Sequence, residues 1–429
     1  MATAREAALN VLLGCHLRGM WANEGLRKAL MGMEPREAAL ATRLVYGVLQ
    51  NQLLLDHYLT DISSLPLKKL EPTVLDILRL GGYQLLFMDQ IPARAAVDEA
   101  VKLTKHQAKN PKTAGFVNAV LRNLDRGRDT LPALPEKDDL RRLSLQYSHP
   151  LWLVKEFVRQ LDGDIGQTEA LLAANNELSP MTAQVNTLKI SAEALRAQLE
   201  ERGVLVKGHP GAEDCLLFER TGDLEKLEAF QQGLFYVQDP AAQAAVRAAA
   251  PKAGETVLDL CAAPGGKTFA AAVAMEDKGE IVSRDIYPWK VEEIKRGAAR
   301  LGLSSVHAAV GDARQPEKRR YDLVIADVPC SGLGIIRKKP DIRYKDPKEL
   351  DTLAPLQEAV LESAGAAVKP GGRLLYATCT LRREENGGRV AAFLTRHGEF
   401  TLRREETFWP QKQGTDGFYY AVLGREVEA

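Results

Sequence analysis

Two cysteines draw attention because each follows an apolar run and lies within a motif of small residues. Cys330 comes after Val328-Pro329, and Cys379 comes after Ala377-Thr378. Cysteine is the most nucleophilic side chain near neutral pH when a polar, partly electropositive setting favours its thiolate. The structural alternative is a buried, inert thiol, which is the usual state of a free cysteine. Both positions become candidates for covalent chemistry if the fold brings them to one site.

A turn of small residues, Cys261–Thr268, follows the β-branched run Thr256–Leu260. Gly265 and Gly266 let backbone approach a ligand without an intervening Cβ. A strand that opens into such a turn before a helix is typical of the cofactor corner of a doubly wound sheet. A P-loop needs glycine where Cys261 stands, and the G-x-G-x-x-G pattern of dinucleotide sites is absent. The turn favours a nucleoside-cofactor pocket, and a tight turn without a ligand stays open as the alternative.

Polar residues also end the strands predicted after this turn. Asp285 stands where an acidic residue accepts hydrogen bonds from ribose hydroxyls, Asp312 is placed for an adenine contact, and Asp327 precedes the first cysteine motif. The predicted strands are Thr256–Leu260, Ile281–Val282, Val306–Val310, Leu323–Ala326 and Arg373–Thr378. Helical stretches between them predict a parallel, Rossmann-like α/β sheet, and ligands bind at the carboxyl ends of such strands.

Three motifs together resemble a known family. DLCAAPGGKT, ADVPCSGLG (Ala326–Gly334) and YATCT (Tyr376–Thr380) are similar to the signatures of S-adenosylmethionine-dependent RNA cytosine-5 methyltransferases. The resemblance implies S-adenosyl-L-methionine as methyl donor and a class I methyltransferase domain at residues 235–429. The cofactor-binding residues expected are Cys261, Ala262, Ala263, Pro264, Gly265, Gly266, Lys267, Asp285, Asp312 and Asp327.

The chemistry of that reaction explains the residue types. C5 of cytosine is too weak a nucleophile to take a methyl group, but a thiolate that adds to C6 makes C5 enamine-like. Spacing leaves open which cysteine attacks, whereas the resemblance implies that Cys379 is the nucleophile and that Cys330 assists product release. Lys267 is a candidate for the electropositive setting. Asp327 is a candidate for a hydrogen bond to the N3/N4 edge of the base.

Composition bounds the remaining possibilities. The 429 residues carry 57 Lys and Arg against 57 Asp and Glu, so any nucleic-acid surface must be local. Five cysteines without a CxxC spacing argue against a disulfide scaffold and a structural zinc site, and they fit a reducing cytoplasm. Cys261 is interpreted as a packing residue, and Cys15 and Cys215 as structural. Neither a signal peptide nor a membrane span is predicted, and no metal is expected.

Residues 1–128 are predicted to form a bundle of five or more helices, because their apolar residues recur with helical spacing between Pro and Gly breakers. VDEAVKLTK (Val97–Lys105) and GFVNAVLRNL (Gly115–Leu124) resemble the NusB-type antitermination-factor fold. That resemblance implies an RNA-binding surface, for which Arg122, Arg126 and Arg128 are candidates. A passive packing module is the alternative.

A Pro-containing linker, Gly127–Asp138, precedes a predicted middle domain at residues 139–234. Its short mixed elements predict an α+β, RRM-like module. YSHPLWLV, which contains His149, resembles a signature of the methyltransferase family, but His149 is interpreted as a turn residue rather than a catalytic one. In DGFYYAVL (Asp416–Leu423), Phe418 and Tyr419 are interpreted as core residues of a closing strand pair rather than base contacts.

Nine basic and four acidic residues lie between Arg314 and Lys345, and the second basic cluster directly follows the Cys330 motif. This excess predicts an RNA face beside the site, in which the basic residues contact phosphates and Tyr344 stacks on an exposed base. Its members are Lys318-Arg319-Arg320 and Arg337-Lys338-Lys339, with Arg343, Tyr344 and Lys345 following. A solvated charged face is the structural alternative. A cytosine within a helix would have to be unstacked to reach a thiol.

The domain order and motifs resemble the Sun/Fmu (RsmB) group of bacterial 16S rRNA methyltransferases. That resemblance implies 16S ribosomal RNA, or an assembling small subunit, as partner, and the protein is expected to be a monomer. Two alternatives stay open: a tRNA cytosine-5 methyltransferase with the same chemistry, and an RNA-binding transcription or ribosome-assembly factor that keeps the domain as a scaffold. A scaffold would need neither both cysteines nor the acidic residues at the strand ends.

Overall fold

The computed structural model describes residues 3–220 and 224–427, which fold into two compact units. The first unit consists of Met1–Glu177 and Ile336–Lys345, and the second of Leu178–Ile335 and Asp346–Ala429. The helices between residues 139 and 177 belong to the first unit, and the strands that follow them belong to the second. The predicted domain boundaries stay predictions.

The first unit is helical, as the spacing of its apolar residues predicts. Side-chain caps open several of its helices; for example, Thr3 and Glu6 form a capping box, and Glu34 caps a helix that begins at Pro35. The helices are α1 (Ala4–Arg18), α2 (Ala22–Ala29), α3 (Pro35–Ile62), α4 (Pro72–Phe87), α5 (Ala93–Gln107), α6 (Ala114–Arg126), α7 (Asp139–Gln146), α8 (Leu151–Gln160) and α9 (Ile165–Ala174). A separate 3₁₀ turn, Pro340–Tyr344, also belongs to this unit.

The second unit begins with a small antiparallel sheet. Its strands are β1 (Met181–Val185), β2 (Leu205–His209), β3 (Ala212–Arg220) and β4 (Phe235–Val237), in the order β2-β3-β1-β4. Helices α10 (Ala192–Glu201) and α11 (Glu228–Gln231) accompany it. The predicted α+β character is confirmed. The strand β2 was not predicted, because its alternation of exposed and buried residues is short and ends in Gly208-His209.

A seven-stranded sheet forms the rest of the second unit. Its strands are β5 (Thr256–Asp259), β6 (Glu280–Asp285), β7 (Val306–Val310), β8 (Tyr321–Asp327), β9 (Val368–Thr378), β10 (Phe400–Phe408) and β11 (Phe418–Arg425). The order is β10-β11-β9-β8-β5-β6-β7, parallel from β9 to β7 and antiparallel at β11 and β10. Its helices are α12 (Pro240–Ala249), α13 (Gly266–Ala274), α14 (Pro288–Leu301), α15 (Pro347–Leu350), α16 (Leu353–Ala366), α17 (Gly387–Arg396) and α18 (Pro410–Gln413).

This architecture confirms the predicted Rossmann-like sheet and adds one edge strand. The strand β10 carries the charged run Arg403–Glu406, which is typical of edge strands. Because this run has no alternation of apolar residues, the strand was not predicted. The helical stretch between β8 and β9 is divided at Asp351-Thr352 into α15 and α16.

Apolar layers cover both faces of the parallel strands. Val257 and Ile325 pack into one buried cluster, whereas Leu258 and Val324 pack into another on the opposite face. A one-residue slip would exchange the two sets, so the core fixes where each strand ends. Within residues 3–220 and 224–427, no helix is long and apolar enough to cross a membrane, and no group of three or more His, Cys, Asp or Glu side chains could hold a metal ion.

Candidate active site

The polar residues singled out in the sequence lie along one edge of the seven-stranded sheet. The parallel strands β9, β8, β5, β6 and β7 are adjacent, so their carboxyl ends meet at that edge. Asp327 ends β8, Asp285 ends β6, and Cys379 directly follows β9. Asp312 comes two residues after β7, and the glycine turn follows β5. The order of the strands therefore sets the order of these groups along the edge.

The glycine turn is built from backbone contacts. The amide of Gly265 donates to the carbonyl of Ala262 at 2.7 Å, and the amide of Ala262 donates to the carbonyl of Arg284 at 2.8 Å. Gly265 has a φ of 111°, a conformation that L side chains rarely adopt, and α13 begins at the next residue. Burial raises the pKa of Cys261, so its thiol stays protonated, as suits a packing residue.

Below the turn lies a buried carboxyl that the sequence analysis missed. Asp259 is fully buried, and its Oδ2 accepts a hydrogen bond from Thr268 Oγ1 at 2.8 Å. Thr268 Oγ1 lies 2.9 Å from Ser283 Oγ. Burial raises the pKa of Asp259 to about 7. An acidic residue inside an apolar strand, just before a glycine turn, was the available signal.

The ends of β6 and β7 combine carboxylates with exposed apolar side chains. Asp285 is largely buried, and its Oδ1 accepts from the amide of Tyr287 at 3.1 Å. A hydrogen bond from Arg314 lowers the pKa of Asp312. Ile286 and Val310 are 47% and 57% exposed although they are large and apolar. Asp285 can accept hydrogen bonds from ribose hydroxyls, and the exposed apolar side chains can pack against a flat base. Both features fit the nucleoside part of S-adenosylmethionine.

Lys267 and Asp327 form an ion pair between the ends of β5 and β8. Lys267 Nζ lies 2.6 Å from Asp327 Oδ2 and 5.0 Å from the centroid of the buried Phe418 ring. Burial alone would lower the pKa of Lys267, but the charge and hydrogen bond of Asp327 outweigh it, and the pKa is raised. Lys267 is therefore a fixed positive charge at neutral pH.

The two cysteines of the motifs are in direct contact. Cys330 Sγ lies 3.2 Å from Cys379 Sγ, and the amide of Cys379 donates to Cys330 Sγ at 3.3 Å. The hydrogen bond to Cys379, together with burial, raises the pKa of Cys330 well above its usual value. Cys330 thus stays a thiol and can donate its proton towards the sulfur of Cys379, which favours a thiolate at Cys379.

Two residues of the predicted RNA face are instead part of the helical unit. Arg343 is fully buried, and its guanidinium donates to the carbonyl oxygens of Gln50 and Ser148 at 3.2 and 3.1 Å. Tyr344 donates its hydroxyl hydrogen to the carbonyl of Leu49 at 2.8 Å, with its ring against the helical core. The prediction that Tyr344 stacks on a base and Arg343 meets phosphate was wrong, because both find their partners inside the protein.

Other predicted residues have simpler settings. His149 is fully buried with Nδ1 2.7 Å from the carbonyl of Tyr147, as a turn residue would be. Arg122 and Arg126 are exposed on α6 and donate to Asn118 and Asn123. Arg128 pairs with Asp125. An RNA-binding role for these three arginines stays a prediction.

Comparison with known proteins gives a consistent result across the chain. The family model for 16S rRNA methyltransferase RsmB/F matches residues 246–424, the NusB family model matches residues 2–126, and an RsmF/B-like, ferredoxin-like domain matches residues 149–225. The chain is 37% identical to the probable ribosomal RNA small subunit methyltransferase B of Bacillus subtilis (strain 168), covering 99% of both chains. It is 35% identical to ribosomal RNA small subunit methyltransferase B of Vibrio cholerae, covering 98% of this chain and 97% of that one.

A solved structure extends this agreement to the fold. The crystal structure of PH0851 matches with a TM-score of 0.81 at 28% identity and covers 97% of this chain and 98% of that one. The predicted order of a NusB-like helical region, a small α+β region and a Rossmann-like methyltransferase region is confirmed. The scaffold alternative loses its basis, since relatives over nearly the full length are methyltransferases. The chain therefore belongs to the 16S rRNA methyltransferase RsmB/F family, and its methyl donor is S-adenosyl-L-methionine.

Proposed function

We propose that this protein methylates C5 of a cytidine in 16S ribosomal RNA through a covalent bond between Cys379 and C6 of the base. The observation that carries the proposal is the pair of sulfur atoms 3.2 Å apart beside the Lys267–Asp327 ion pair. A methyltransferase that acted on an oxygen or an amine would need no such pair of thiols. The choice of 16S ribosomal RNA rests on the names of the relatives.

Cys379 begins the reaction as the nucleophile. Its sulfur forms a bond to C6, and the π electrons of the C5–C6 bond shift onto C5 in conjugation with C4 and N3, so that C5 becomes nucleophilic. S-adenosylmethionine supplies the methyl group that C5 accepts. A base then removes the C5 proton, the C5–C6 double bond forms again, and the sulfur of Cys379 leaves as a thiolate. The thiol of Cys330 lies against that sulfur and stabilises the departing charge by a hydrogen bond.

Lys267 and Asp327 assist the reaction at the same edge of the sheet. Asp327 can accept a hydrogen bond from the N4 amino group at the N3/N4 edge of the base, which orients the ring for attack. Lys267 holds that carboxylate at 2.6 Å and adds a positive charge to the surroundings of the cysteines. Residues proposed to hold the donor are Cys261, Ala262, Ala263, Pro264, Gly265, Gly266, Lys267, Asp285, Asp312 and Asp327.

A trapping experiment tests the proposal. Cys330→Ala and Cys379→Ala are each mixed with S-adenosylmethionine and either 16S rRNA or tRNA, and run on a denaturing gel. We expect a slowly migrating RNA–protein adduct with Cys330→Ala and 16S rRNA, because attack proceeds and release does not. Cys379→Ala should give none, and Cys15→Ala, in the helical unit, should turn over without accumulating adduct.

Each other result has a definite meaning. An adduct with Cys379→Ala only would exchange the roles of the two cysteines. An adduct with tRNA but not 16S rRNA would favour a tRNA enzyme. Methyl transfer by the unmutated protein with no adduct in either variant would contradict the covalent route.

A further inference from the structure

A buried carboxylate contacts the chain on both sides of Cys330. Glu385, which is 3% exposed, accepts a hydrogen bond on Oε2 from the amide of Ser331 at 2.9 Å. The same oxygen accepts from Gln357 Nε2 at 2.9 Å, and that nitrogen also donates to the carbonyl of Pro329 at 3.0 Å. Glu385 is therefore linked directly to the residue after Cys330 and, through Gln357, to the residue before it.

The next residue has the same relation to Cys379. Asn386 is 4% exposed, and its Oδ1 accepts a hydrogen bond from Thr378 Oγ1 at 2.6 Å. Its Nδ2 donates to the carbonyl of Thr380 at 3.0 Å. One dipeptide, Glu385-Asn386, thus holds the neighbours of both cysteines, one cysteine for each side chain.

Further contacts join the two cysteine loops to each other and to the sheet. Ser331 Oγ lies 2.6 Å from Thr380 Oγ1, and the amide of Gly334 donates to the carbonyl of Cys379 at 3.0 Å. Tyr376, in β9, donates its hydroxyl hydrogen to the carbonyl of Glu385 at 2.6 Å. Hydrogen-bonded buried networks restrict side chains to one arrangement. This network therefore sets the separation of the two sulfur atoms.

The residue types indicate more than packing. Arg382 Nη1 lies 3.5 Å from Glu385 Oε1 and compensates part of its buried charge, whereas a glutamine at position 385 could accept the hydrogen bonds from Ser331 and Gln357 without burying any charge. The negative charge of Glu385 is one of the causes that raise the pKa of Cys330, after the hydrogen bond to Cys379, burial and the charge of Cys379. Glutamate suits a position where the Cys330 proton must be kept.

We propose that Glu385 and Asn386 are positioning residues with separate tasks in the reaction. Asn386 orients Cys379 for attack on C6, and Glu385 holds Cys330 as a thiol for the release of the product. The proposal rests on the covalent route proposed above. The two side chains belong to one buried network but act in different chemical steps, so a substitution at either residue should disturb one step alone.

The two tasks predict opposite changes in the amount of trapped adduct. Asn386→Ala, introduced into Cys330→Ala, should slow adduct formation at least tenfold, because Cys379 is misplaced. Glu385→Gln, in a chain with both cysteines, should lower turnover at least tenfold and let adduct accumulate, because release is impaired. A merely structural role would slow adduct formation in the Asn386→Ala chain only as far as it weakens binding of S-adenosylmethionine, and it would lower turnover in Glu385→Gln without raising the adduct.

Matched controls lie elsewhere in the same unit. Asn186 is fully buried and donates to the carbonyl oxygens of Gly233 and Leu301 at 3.1 and 3.0 Å, so Asn186→Ala removes comparable hydrogen bonds. Glu255 pairs with Arg373 at 2.6 Å, so Glu255→Gln removes a comparable charge. Neither control should change adduct yield once binding of S-adenosylmethionine, measured by calorimetry, is equal.

A second measurement needs no RNA. The pH profile of Cys330 alkylation by iodoacetamide, followed by peptide mass spectrometry, should move to lower pH in Glu385→Gln and stay in place in Glu255→Gln. No adduct with Cys330→Ala, together with the shifted profile, would contradict the proposed function but retain the role of Glu385. An unshifted profile, or adduct yields that match the controls, would overturn this inference.

Discussion

Lys267 and Arg343 are both buried cations in segments to which the sequence assigned a functional role, yet their surroundings differ. Lys267 Nζ lies 2.6 Å from the carboxylate of Asp327, at the edge where the parallel strands end. Among the described residues, Arg343 donates to neutral oxygens: the carbonyls of Gln50, Tyr147 and Ser148 and the side-chain oxygen of Asn176. Burial lowers its pKa to about 10, which still leaves it charged at neutral pH.

The difference separates a charge that can serve chemistry from one that serves folding. An ion pair beside a strand end can exchange partners with a ligand, because carboxylate and ammonium both gain from new hydrogen bonds there. A guanidinium that donates to several buried carbonyl oxygens serves the fold, and its removal leaves those oxygens unpaired. Buried charge alone therefore does not identify a functional site; the nature of the partners does.

Removing the charge at Lys267 should have the largest effect. Lys267→Met is expected to lower kcat/KM about 10²–10³-fold, because it removes one preorganised charge next to the reacting base. The midpoint of thermal unfolding should change little, since Asp327 is left partly exposed. Steady-state methylation of rRNA measures the effect, with Lys278→Met, an exposed residue paired to Glu276, as the control. Activity within a few-fold of the unmutated protein would contradict a role in the reaction.

Replacing Arg343 should act on stability instead. Arg343→Met is expected to destabilise the helical unit by about 3 kcal/mol, because several buried carbonyl oxygens lose their donor. Hydrogen exchange should speed up in peptides that contain Gln50 and Ser148, whose carbonyls Arg343 binds. Arg314→Met, which removes an exposed arginine paired to Asp312, should leave exchange in those peptides unchanged. Unchanged exchange in Arg343→Met would show that the neutral partners do not need the cation.

The sequence predicted these two regions unequally. The residues at the strand ends could be placed because apolar runs, glycine turns and polar ends recur with a fixed order, and parallel strands bring their carboxyl ends to one edge. The sequence could not predict that Ile336–Lys345 folds with the helical unit, because a short basic segment carries no pattern that indicates which unit it joins. Glu385 and Asn386 were missed for a similar reason: their partners are 54 and 8 residues away and leave no periodic pattern.

A pH-dependent effect, smaller than the first two, should come from Asp259. Its folded pKa, about 7, lies above the value near 3.9 expected for an unfolded chain. The folded state then binds the proton more tightly, so this stabilisation is present in acid and is lost as pH rises from about 4 to about 7. Asp259→Asn should therefore gain about 2 kcal/mol relative to the unmutated protein between pH 5 and pH 8.

Denaturant unfolding at both pH values measures this difference. Asp322 offers a control of opposite sign, because hydrogen bonds from Lys369 and Thr256 overcome its burial and lower its pKa to about 2. The stabilisation from Asp322 is lost only as pH falls below the unfolded value, so Asp322→Asn should give the same offset at pH 5 and pH 8. Equal pH dependence in the two variants would mean that Asp259 is already ionised at pH 5.

The most direct test of the central claim uses the unmutated protein with rRNA in which cytidine is replaced by 5-fluorocytidine. A fluorine at C5 cannot leave as a proton, so the attacking sulfur should remain bonded to C6 after methyl transfer. Nuclease and protease digestion followed by mass spectrometry would then locate the nucleotide. We expect it on the peptide that contains Cys379. A nucleotide on the Cys330 peptide, or no adduct although ordinary rRNA is methylated, would contradict the account.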